Sequence, residues 1–363
     1  MNIGEGGKMK KTITFLMDYL GSGGAERVTS ILVNYFCNND YIVNIVVCNR
    51  NRNDYVVDKR VNVIFLPEVK SNFKLVRAYK RYIFLKQCLM SLKSDVIISL
   101  CNAWAELRLI STRQTKKSKL IMSERNDPYS HPESLIMKKI RDFNYRFATI
   151  MVFQTQGARE YFPMSIQKKG IVIPNPIKED LPEPYKGERK KVIVNYCRLH
   201  KQKNLTMLID AFNIFSKEYK EYNLEIYGRG ELKESLKEHA ISLGLKEKVL
   251  IKDFEKDIHN KIKDSAMFVS SSDYEGISNS MLEALAIGLP TICTDCPAGG
   301  ARMVINSFEN GILVPVGDTK ALYEAMKYMH ENPKESEKMS KNATEIRNKL
   351  ATDVICKQWA KLI

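Results

Sequence analysis

The sequence predicts an α/β protein built from two Rossmann-like, doubly wound parallel-sheet domains. Three observations lead there. The chain is 363 residues long, which makes two domains the natural starting expectation. Short β-branched runs alternate with longer helical periods throughout, the pattern of βαβ units. A proline-rich break near the middle is followed by a restart of the same alternation.

In the first half the strands are read at Ile13–Met17, Ile42–Cys48, Val61–Leu66, Val96–Leu100, Leu120–Met122, Ile150–Phe153 and Ile171–Ile173. Each is a short apolar run of the kind buried on both faces of a parallel sheet. Ala25–Phe36 and Phe73–Leu92 carry the helical period between them. Ile173-Pro174-Asn175-Pro176-Ile177 then holds the backbone extended, because neither proline tolerates a helix around it. The domain boundary is placed there, at 176/177. After it, strands are read at Val192–Tyr196, Leu224–Tyr227, Val249–Ile251, Met267–Val269, Thr291–Cys293 and Ile312–Val314. Helices are read at Leu205–Tyr219, Glu231–Leu243, Ser278–Ile287 and Ala321–His330, with a last helical segment over Ser340–Ile363. The second domain is expected over 177–345, with a C-terminal helix of about 346–363 packing back on the first. In such sheets ligands lie at the carboxyl ends of the strands, and a cleft between the two domains is the expected site.

Composition narrows the function. Hydrophobic residues make up 44% and charged residues 27%, which excludes wholesale disorder and fibrous structure. The net charge is +15 and is unevenly spread: residues 1–176 hold 28 Lys and Arg against 14 Asp and Glu, and residues 177–363 hold 29 against 28. The first half should therefore face something anionic. The eight cysteines are scattered and read as buried free thiols of a reducing compartment. Cys293 and Cys296 form a single C-x-x-C without the second ligand pair that zinc needs. Lys8, Lys10 and Lys11 precede an apolar stretch in the manner of a signal peptide, but Asp18 interrupts it and a first buried strand is the better reading. With no spanning run of 18 apolar residues, a cytoplasmic protein is expected.

Three segments carry chemistry. Gly21-Ser22-Gly23-Gly24-Ala25-Glu26-Arg27 follows a strand and opens a helix, so its amides suit an anion. Its glycine spacing is not that of the dinucleotide fingerprint. Arg198 and Lys203 lie between the first strand of the second half and a helix, a fork and a point charge suited to a diphosphate. The third segment runs from Ser271 to Pro290. Gly276 lies in a polar loop, Ser278 or Asn279 can cap the next helix, and Gly288 and Pro290 stop it. Its carboxylates, Glu275 and Glu283, are eight residues apart and can both reach one ligand lying over the helix N-terminus. The amides from Gly276 through Ile277 to Ser278 would face phosphates, and acceptor-only carboxylates suit sugar hydroxyls.

The stretch Glu275 to Glu283, with Gly288-Leu289-Pro290, resembles the E-x7-E motif of retaining GT-B glycosyltransferases, the large "glycosyl transferases group 1" family, glycosyltransferase family 4-like. Gly-Gly-Ala-Glu-Arg, Ile173-Pro174-Asn175-Pro176, Arg198 with Lys203, Tyr227-Gly228-Arg229-Gly230-Glu231-Leu232 and Asn310-Gly311-Ile312-Leu313-Val314-Pro315 resemble the same family in the same order. The resemblance implies a GT-B fold and a metal-independent transfer from a nucleoside-diphosphate sugar, most readily a UDP-hexose or UDP-N-acetylhexosamine. Glu275 would hold donor-sugar hydroxyls and Glu283 the ribose. Arg198 and Lys203 would neutralise the leaving diphosphate. Gly23 and Gly24 would bind phosphate, and Gly228, Gly276, Ile277 and Ser278 would line the donor site. No metal or other cofactor is implied. Cys197 stands where the family often has Gly. In Ser123-Glu124-Arg125-Asn126-Asp127-Pro128, Arg125 stands where the family often has His, a variant similar to that of bacterial polysaccharide and glycan-assembly members. Arg125, Asn126 and His131 are the acceptor-side candidates.

Phe73–Lys93 contains Lys74, Arg77, Lys80, Arg81, Lys86 and Lys93 with aromatic residues and no acid, which suits an anionic membrane surface. Together these readings favour a lipid-diphosphate-linked saccharide acceptor, bacterial surface polysaccharide synthesis, and a peripheral place at the inner face of the plasma membrane. The alternatives are a hydrolysing nucleotide-sugar epimerase of the same fold, or a basic nucleic-acid-binding protein. The Glu pair argues against the first. The lack of a recognition motif argues against the second, so no nucleic-acid partner is expected.

Overall fold

The computed structural model describes residues 10–21, 23–49 and 56–363. Lys8 and Ser22, used above, lie outside the described residues. The chain divides into two compact units. One runs to Pro176 and takes up Asp353–Ile363 again, and the other is Ile177–Thr352.

The first unit holds seven strands: β1 (Thr12–Met17), β2 (Ile42–Val47), β3 (Asn62–Phe65), β4 (Val96–Ser99), β5 (Lys119–Glu124), β6 (Ile150–Phe153) and β7 (Gly170–Val172). They form one sheet in the order β3-β2-β1-β4-β5-β6-β7. Every pairing in it is parallel. The second unit holds β8 (Lys190–Tyr196), β9 (Asn223–Tyr227), β10 (Val249–Lys252), β11 (Ser265–Ser270), β12 (Thr291–Thr294) and β13 (Ile312–Val314). These run β10-β9-β8-β11-β12-β13, again all parallel. In each sheet the order reverses once, between β1 and β4 and between β8 and β11. At such a reversal the crossover helices leave to opposite faces and open a crevice beyond the strand ends. The loops after β8 and β11 carry Arg198, Lys203 and Glu275.

Burial follows from sequence pattern. The inner strands are mostly apolar, with Ile13, Phe15, Ile45, Ile98, Ile121, Ile193, Phe268 and Ile292 all 1% exposed or less. The helix Leu205–Glu218 buries Leu208, Ala211, Phe212 and Phe215 at helical spacing. Asn204 caps it from a left-handed conformation, φ 42°. Its side-chain oxygen accepts from Met207 N at 3.3 Å and its amide donates to Asp273 at 2.6 Å. Asn204→Ala should therefore lower stability by about 1–2 kcal/mol in denaturant unfolding, and Asn204→Gly by less, since glycine adopts this conformation without strain.

The final helical segment differs from the single helix read in the sequence. It is three pieces: Pro333–Ala343, Ile346–Lys349 and Thr352–Ala360. Residues 346–352 stay with the second unit, held by Arg347 donating to the Ala286 carbonyl at 2.5 Å and also to the Pro182 carbonyl. The return to the first unit thus begins at Asp353, not near 346. At the changeover the Ile177 amide donates to the Leu350 carbonyl at 2.9 Å, and the Thr352 hydroxyl donates to the Ile177 carbonyl at 2.9 Å. These bonds consume the polar groups that interrupt the helix. The last piece buries Ile355, Cys356 and Trp359 completely. It lies beside Tyr35, whose hydroxyl pKa is raised first by burial and then by Asp353.

Candidate functional site

The centre of the site is a charge pair at the β8/β11 reversal. After β8 the chain passes Arg198, which is exposed, and makes a single tight turn, Lys201–Lys203, capped by His200. That turn points Lys203 across to the loop after β11. There Lys203 Nζ lies 2.7 Å from Glu275 Oε2, with side-chain exposures of 13% and 20%. Gln202 Nε2 donates to the same carboxylate oxygen at 3.1 Å and to the Tyr274 carbonyl at 2.8 Å. The Asp273 amide donates to the Gln202 carbonyl at 2.9 Å. The Ser271 hydroxyl bridges the carbonyls of Lys203 and Asn204, both at 2.9 Å. Two loops 72 residues apart in sequence are thus bonded into one unit. Burial works against the Lys203 ammonium, but the Glu275 carboxylate outweighs it and the Lys203 pKa is raised, while Arg198 pulls slightly the other way. The lysine therefore stays charged through neutral pH.

A small cavity adjoins the pair. Ser270, Ser272, Glu275, Gly276, Ser278, Cys293 and Thr294 are among its lining residues. Its floor is the C-x-x-C segment: Cys296 Sγ donates to the Ser272 carbonyl at 3.2 Å, and burial pushes the Cys293 thiol above its ordinary range. Both cysteines are buried and pack into the wall of this cavity. Ser278 caps the helix Asn279–Ala286, accepting from Met281 N at 3.4 Å, and Ile277 is buried.

Glu283 lies elsewhere in this helix and is not among the residues lining that cavity. It is 4% exposed. Its carboxylate lies 2.7 Å from His259 Nε2 and receives the Tyr196 hydroxyl at 3.4 Å, and the two rings meet edge-on at 5.7 Å between centroids. The two carboxylates expected from the sequence to reach one ligand each have protein partners, Glu275 with Lys203 and Glu283 with His259.

The glycines have identifiable reasons. A Cβ on Gly228 would stand 1.9 Å from the Cys197 carbonyl oxygen, and one on Gly230 would stand 2.1 Å from that of Leu199. The segment after β9 therefore continues pairing tightly with the segment after β8, through Cys197 N to Tyr227 O at 3.0 Å and Leu199 N to Arg229 O at 2.8 Å. A Cβ on Gly300 would stand 1.7 Å from the Gly276 carbonyl oxygen. Backbone from the segment after β12 thus props up the loop that carries Glu275. In the first unit Gly23 precedes the helix Gly24–Asn38, and the Glu26 carboxylate folds back over it, within 2.0 Å of where a Gly23 Cβ would be. That is the place of the acid in a capping box, so a carboxylate covers part of the turn where a phosphate was expected.

The acceptor-side candidates lie after β5. Arg125 donates to Asn175 Oδ1, which also receives Gln154 Nε2 at 2.7 Å. Burial pushes the Arg125 pKa down to about 10, against the pull of Glu124. This joins the Ser-Glu-Arg-Asn segment to the Pro-Asn-Pro segment, two motifs the sequence showed only separately. The Asn126 amide donates to Glu124 at 3.2 Å. His131 is exposed, and its carbonyl receives Arg141 Nη1 at 2.7 Å. Arg141 itself is 3% exposed, contacts Glu124 at 3.4 Å and lies over the Phe162 ring. Gln202, His259, Gly300 and Arg141 were not singled out by the sequence, and Glu124 entered only as part of the Ser-Glu-Arg-Asn stretch. Of the first four, Gly300 alone, in the pair Gly299-Gly300, carried a local signal.

Residues 176–346 match the model of the family described as "Glycosyl transferases group 1". The chain is 25% identical over 358 residues to GalNAc-alpha-(1->4)-GalNAc-alpha-(1->3)-diNAcBac-PP-undecaprenol alpha-1,4-N-acetyl-D-galactosaminyltransferase of Campylobacter jejuni, covering 97% of this chain and 98% of that protein. It is 32% identical over 203 residues to the uncharacterized glycosyltransferase MJ1059 of Methanocaldococcus jannaschii, covering 51% of this chain and 50% of that one. Among solved structures it superposes on TarM with TM-score 0.80 at 16% identity, over 98% and 99% of the two chains. It superposes on Anabaena HepE, solved with UDP-glucose, with TM-score 0.79 at 18% identity, over 96% and 98%. The two parallel-sheet units are those of the GT-B fold.

Proposed function

Because residues 176–346 match the glycosyl transferases group 1 model and the two units have the GT-B fold, we propose that the chain moves a sugar from a UDP-sugar to a lipid-diphosphate-linked glycan with retention of anomeric configuration, without a metal in the transfer step. The observation that carries this reading is the Lys203–Glu275 pair at the β8/β11 reversal, inside the segment that matches the family.

A nucleoside-diphosphate leaving group gains negative charge as the glycosidic bond breaks. Cations fixed where that charge develops are worth more than any other single group in such a site. Arg198 and Lys203 supply two, on a loop already bonded to its neighbour. Glu275, held by Lys203 and Gln202, keeps lone pairs for donor-sugar hydroxyls, and the cavity beside it has hydroxyl-bearing walls. Glu283, fixed by His259, is assigned to the ribose hydroxyls. The amides of Gly276, Ile277 and Ser278 lead into a helix N-terminus and are assigned to phosphate. In a retaining transfer the acceptor hydroxyl attacks on the face the diphosphate leaves, and a phosphate oxygen takes its proton. The Campylobacter relative is named for an alpha linkage on a PP-undecaprenol glycan. An alpha product from an α-linked nucleotide sugar is retention. A second relative from the same organism, 27% identical over 346 residues, is also named for a diphospho-undecaprenol acceptor.

The membrane side of the proposal rests on the helix Lys74–Leu92. Among its residues only Leu85 and Leu89 are buried, while Leu75 is 84% and Tyr79 65% exposed amid the lysines and arginines. Among the described residues no helix is long and apolar enough to cross a membrane. Association would be peripheral, through charge and shallow apolar contact.

The test is a thermal-shift panel of UDP- and GDP-sugars. A ligand at a hundred times its dissociation constant should stabilise the second unit by about 2.7 kcal/mol. Stabilisation by a UDP-sugar that Arg198→Ala abolishes is the expected result. No shift with any nucleotide sugar would overturn the donor assignment.

A further inference from the structure

A second cluster of chemistry-bearing side chains lies in the first unit, apart from any residue assigned above. Asp18 directly follows β1 and Cys48 directly follows β2, while Cys101 comes two residues after β4. These are three adjacent strands in the order β2-β1-β4. The registers Met17↔Val47 and Leu16↔Ser99, continued by one and two residues, set Asp18 opposite Cys48 on one side and Cys101 on the other. The first continuation is bonded, by Cys48 N to Met17 O at 2.8 Å and Asn49 N to Asp18 O at 2.9 Å. Residues in register in a parallel sheet share a face. Accordingly one carboxylate oxygen of Asp18 and the two Sγ atoms all lie within 4.8 Å of one another.

We propose that Asp18, Cys48 and Cys101 form a binding site for a soft divalent cation of the zinc class. Zinc–sulfur bonds of about 2.3 Å in a tetrahedron put two sulfurs about 3.8 Å apart, so the donors need close in by no more than about an ångström. The donor set suits this ion, because thiolate and carboxylate together select zinc over the hard cations. The carboxylate is already oriented: Asn102 donates to one Asp18 oxygen through its backbone amide at 2.6 Å and to the other through its side chain at 2.8 Å. That is the outer-shell bonding expected of a ligating carboxylate. The three donors leave one tetrahedral position for water or another oxygen ligand. On binding, each thiol gives its proton to solvent and the metal takes the thiolates.

A disulfide between the same cysteines fits the ladder poorly. Their strands flank β1, so their Cα atoms stand about two strand spacings apart, near 10 Å, whereas a bridge requires less than about 7 Å. Burial raises the Cys101 thiol well above its ordinary range, with Cys48, Asp18 and Glu106 adding to it.

The experiment uses the full chain, reduced with a phosphine and stripped of metal by a chelator, and titrated with cobalt(II) as the spectroscopic probe. One equivalent should bind with a thiolate-to-cobalt charge-transfer band that zinc then bleaches. Cys48→Ser and Cys101→Ser should each weaken binding at least tenfold, and Asn102→Ala by about 10–100-fold. The Cys293→Ser/Cys296→Ser double variant should bind as the parent does. Alkylation followed by mass spectrometry serves if a variant does not fold, with one equivalent of zinc expected to protect Cys48 and Cys101 but not Cys88 in the parent chain. Absence of the band, its survival in the Cys48→Ser/Cys101→Ser variant, or a Cys48–Cys101 disulfide in place of metal binding would each overturn the proposal. No readout involves a sugar or a nucleotide, so the result stands apart from that of the transferase reading.

Discussion

Replacing Lys203 by alanine is expected to lower turnover about a hundred- to a thousandfold, corresponding to about 2.7–4 kcal/mol of lost transition-state stabilisation. The effect should fall on kcat, because leaving-group charge is larger in the transition state than in bound donor. Lys203→Arg should recover only part of it, since a planar fork cannot take the ammonium's place against Glu275 and the Gln202 amide. Full steady-state kinetics with a UDP-sugar donor, on variants whose circular dichroism matches the parent, provide the check. Near-parental turnover in folded Lys203→Ala would remove Lys203 from the reaction. The stability contribution of the pair has its own sign. The Lys203 pKa is raised in the folded chain, so its contribution is complete below the ordinary lysine value of about 10.4 and fades as pH climbs through the folded one. Unfolding of the parent in denaturant should thus lose stability above pH 10 that Lys203→Ala lacks from the start.

The second large effect is structural. Trp359 is fully buried in the helix Thr352–Ala360, whose residues from Asp353 onward belong to the first unit. Trp359→Ala should cost about 3–5 kcal/mol through lost burial and the cavity left behind. Unfolding followed by hydrogen exchange should locate that loss in residues up to Pro176 and spare Ile177–Thr352. A uniform loss across both units would contradict the division.

What the sequence made legible was whatever is written locally. Ile42–Val47 and Val249–Lys252 are strands because β-branched runs suit a pleated, buried surface, and the alternation with helices gave the fold class. The residues missed are those whose meaning is tertiary. Gln202 is an ordinary polar residue until the fold brings Glu275, 73 positions away, to it. His259 acquires a partner only when its short helix meets the one carrying Glu283. Glu275 and Glu283 looked alike in spacing and charge, and neighbours invisible in sequence separate them. The broken helix near the C-terminus was missed because Ser340–Ile363 has continuous helical period, while the interruption is made by the Ile177 backbone from the far side of the chain.

The way Ile355, Cys356 and Trp359 complete the first unit bears on biosynthesis. As the chain leaves the ribosome, the N-terminal sheet emerges with part of its interior unmade. The 176 residues from Ile177 to Thr352 must follow before the missing helix appears, a wait of about 10–35 seconds at about 5–20 residues per second. The unit synthesised second is a single unbroken stretch and can fold first, while the unit synthesised first waits for the helix that carries Trp359.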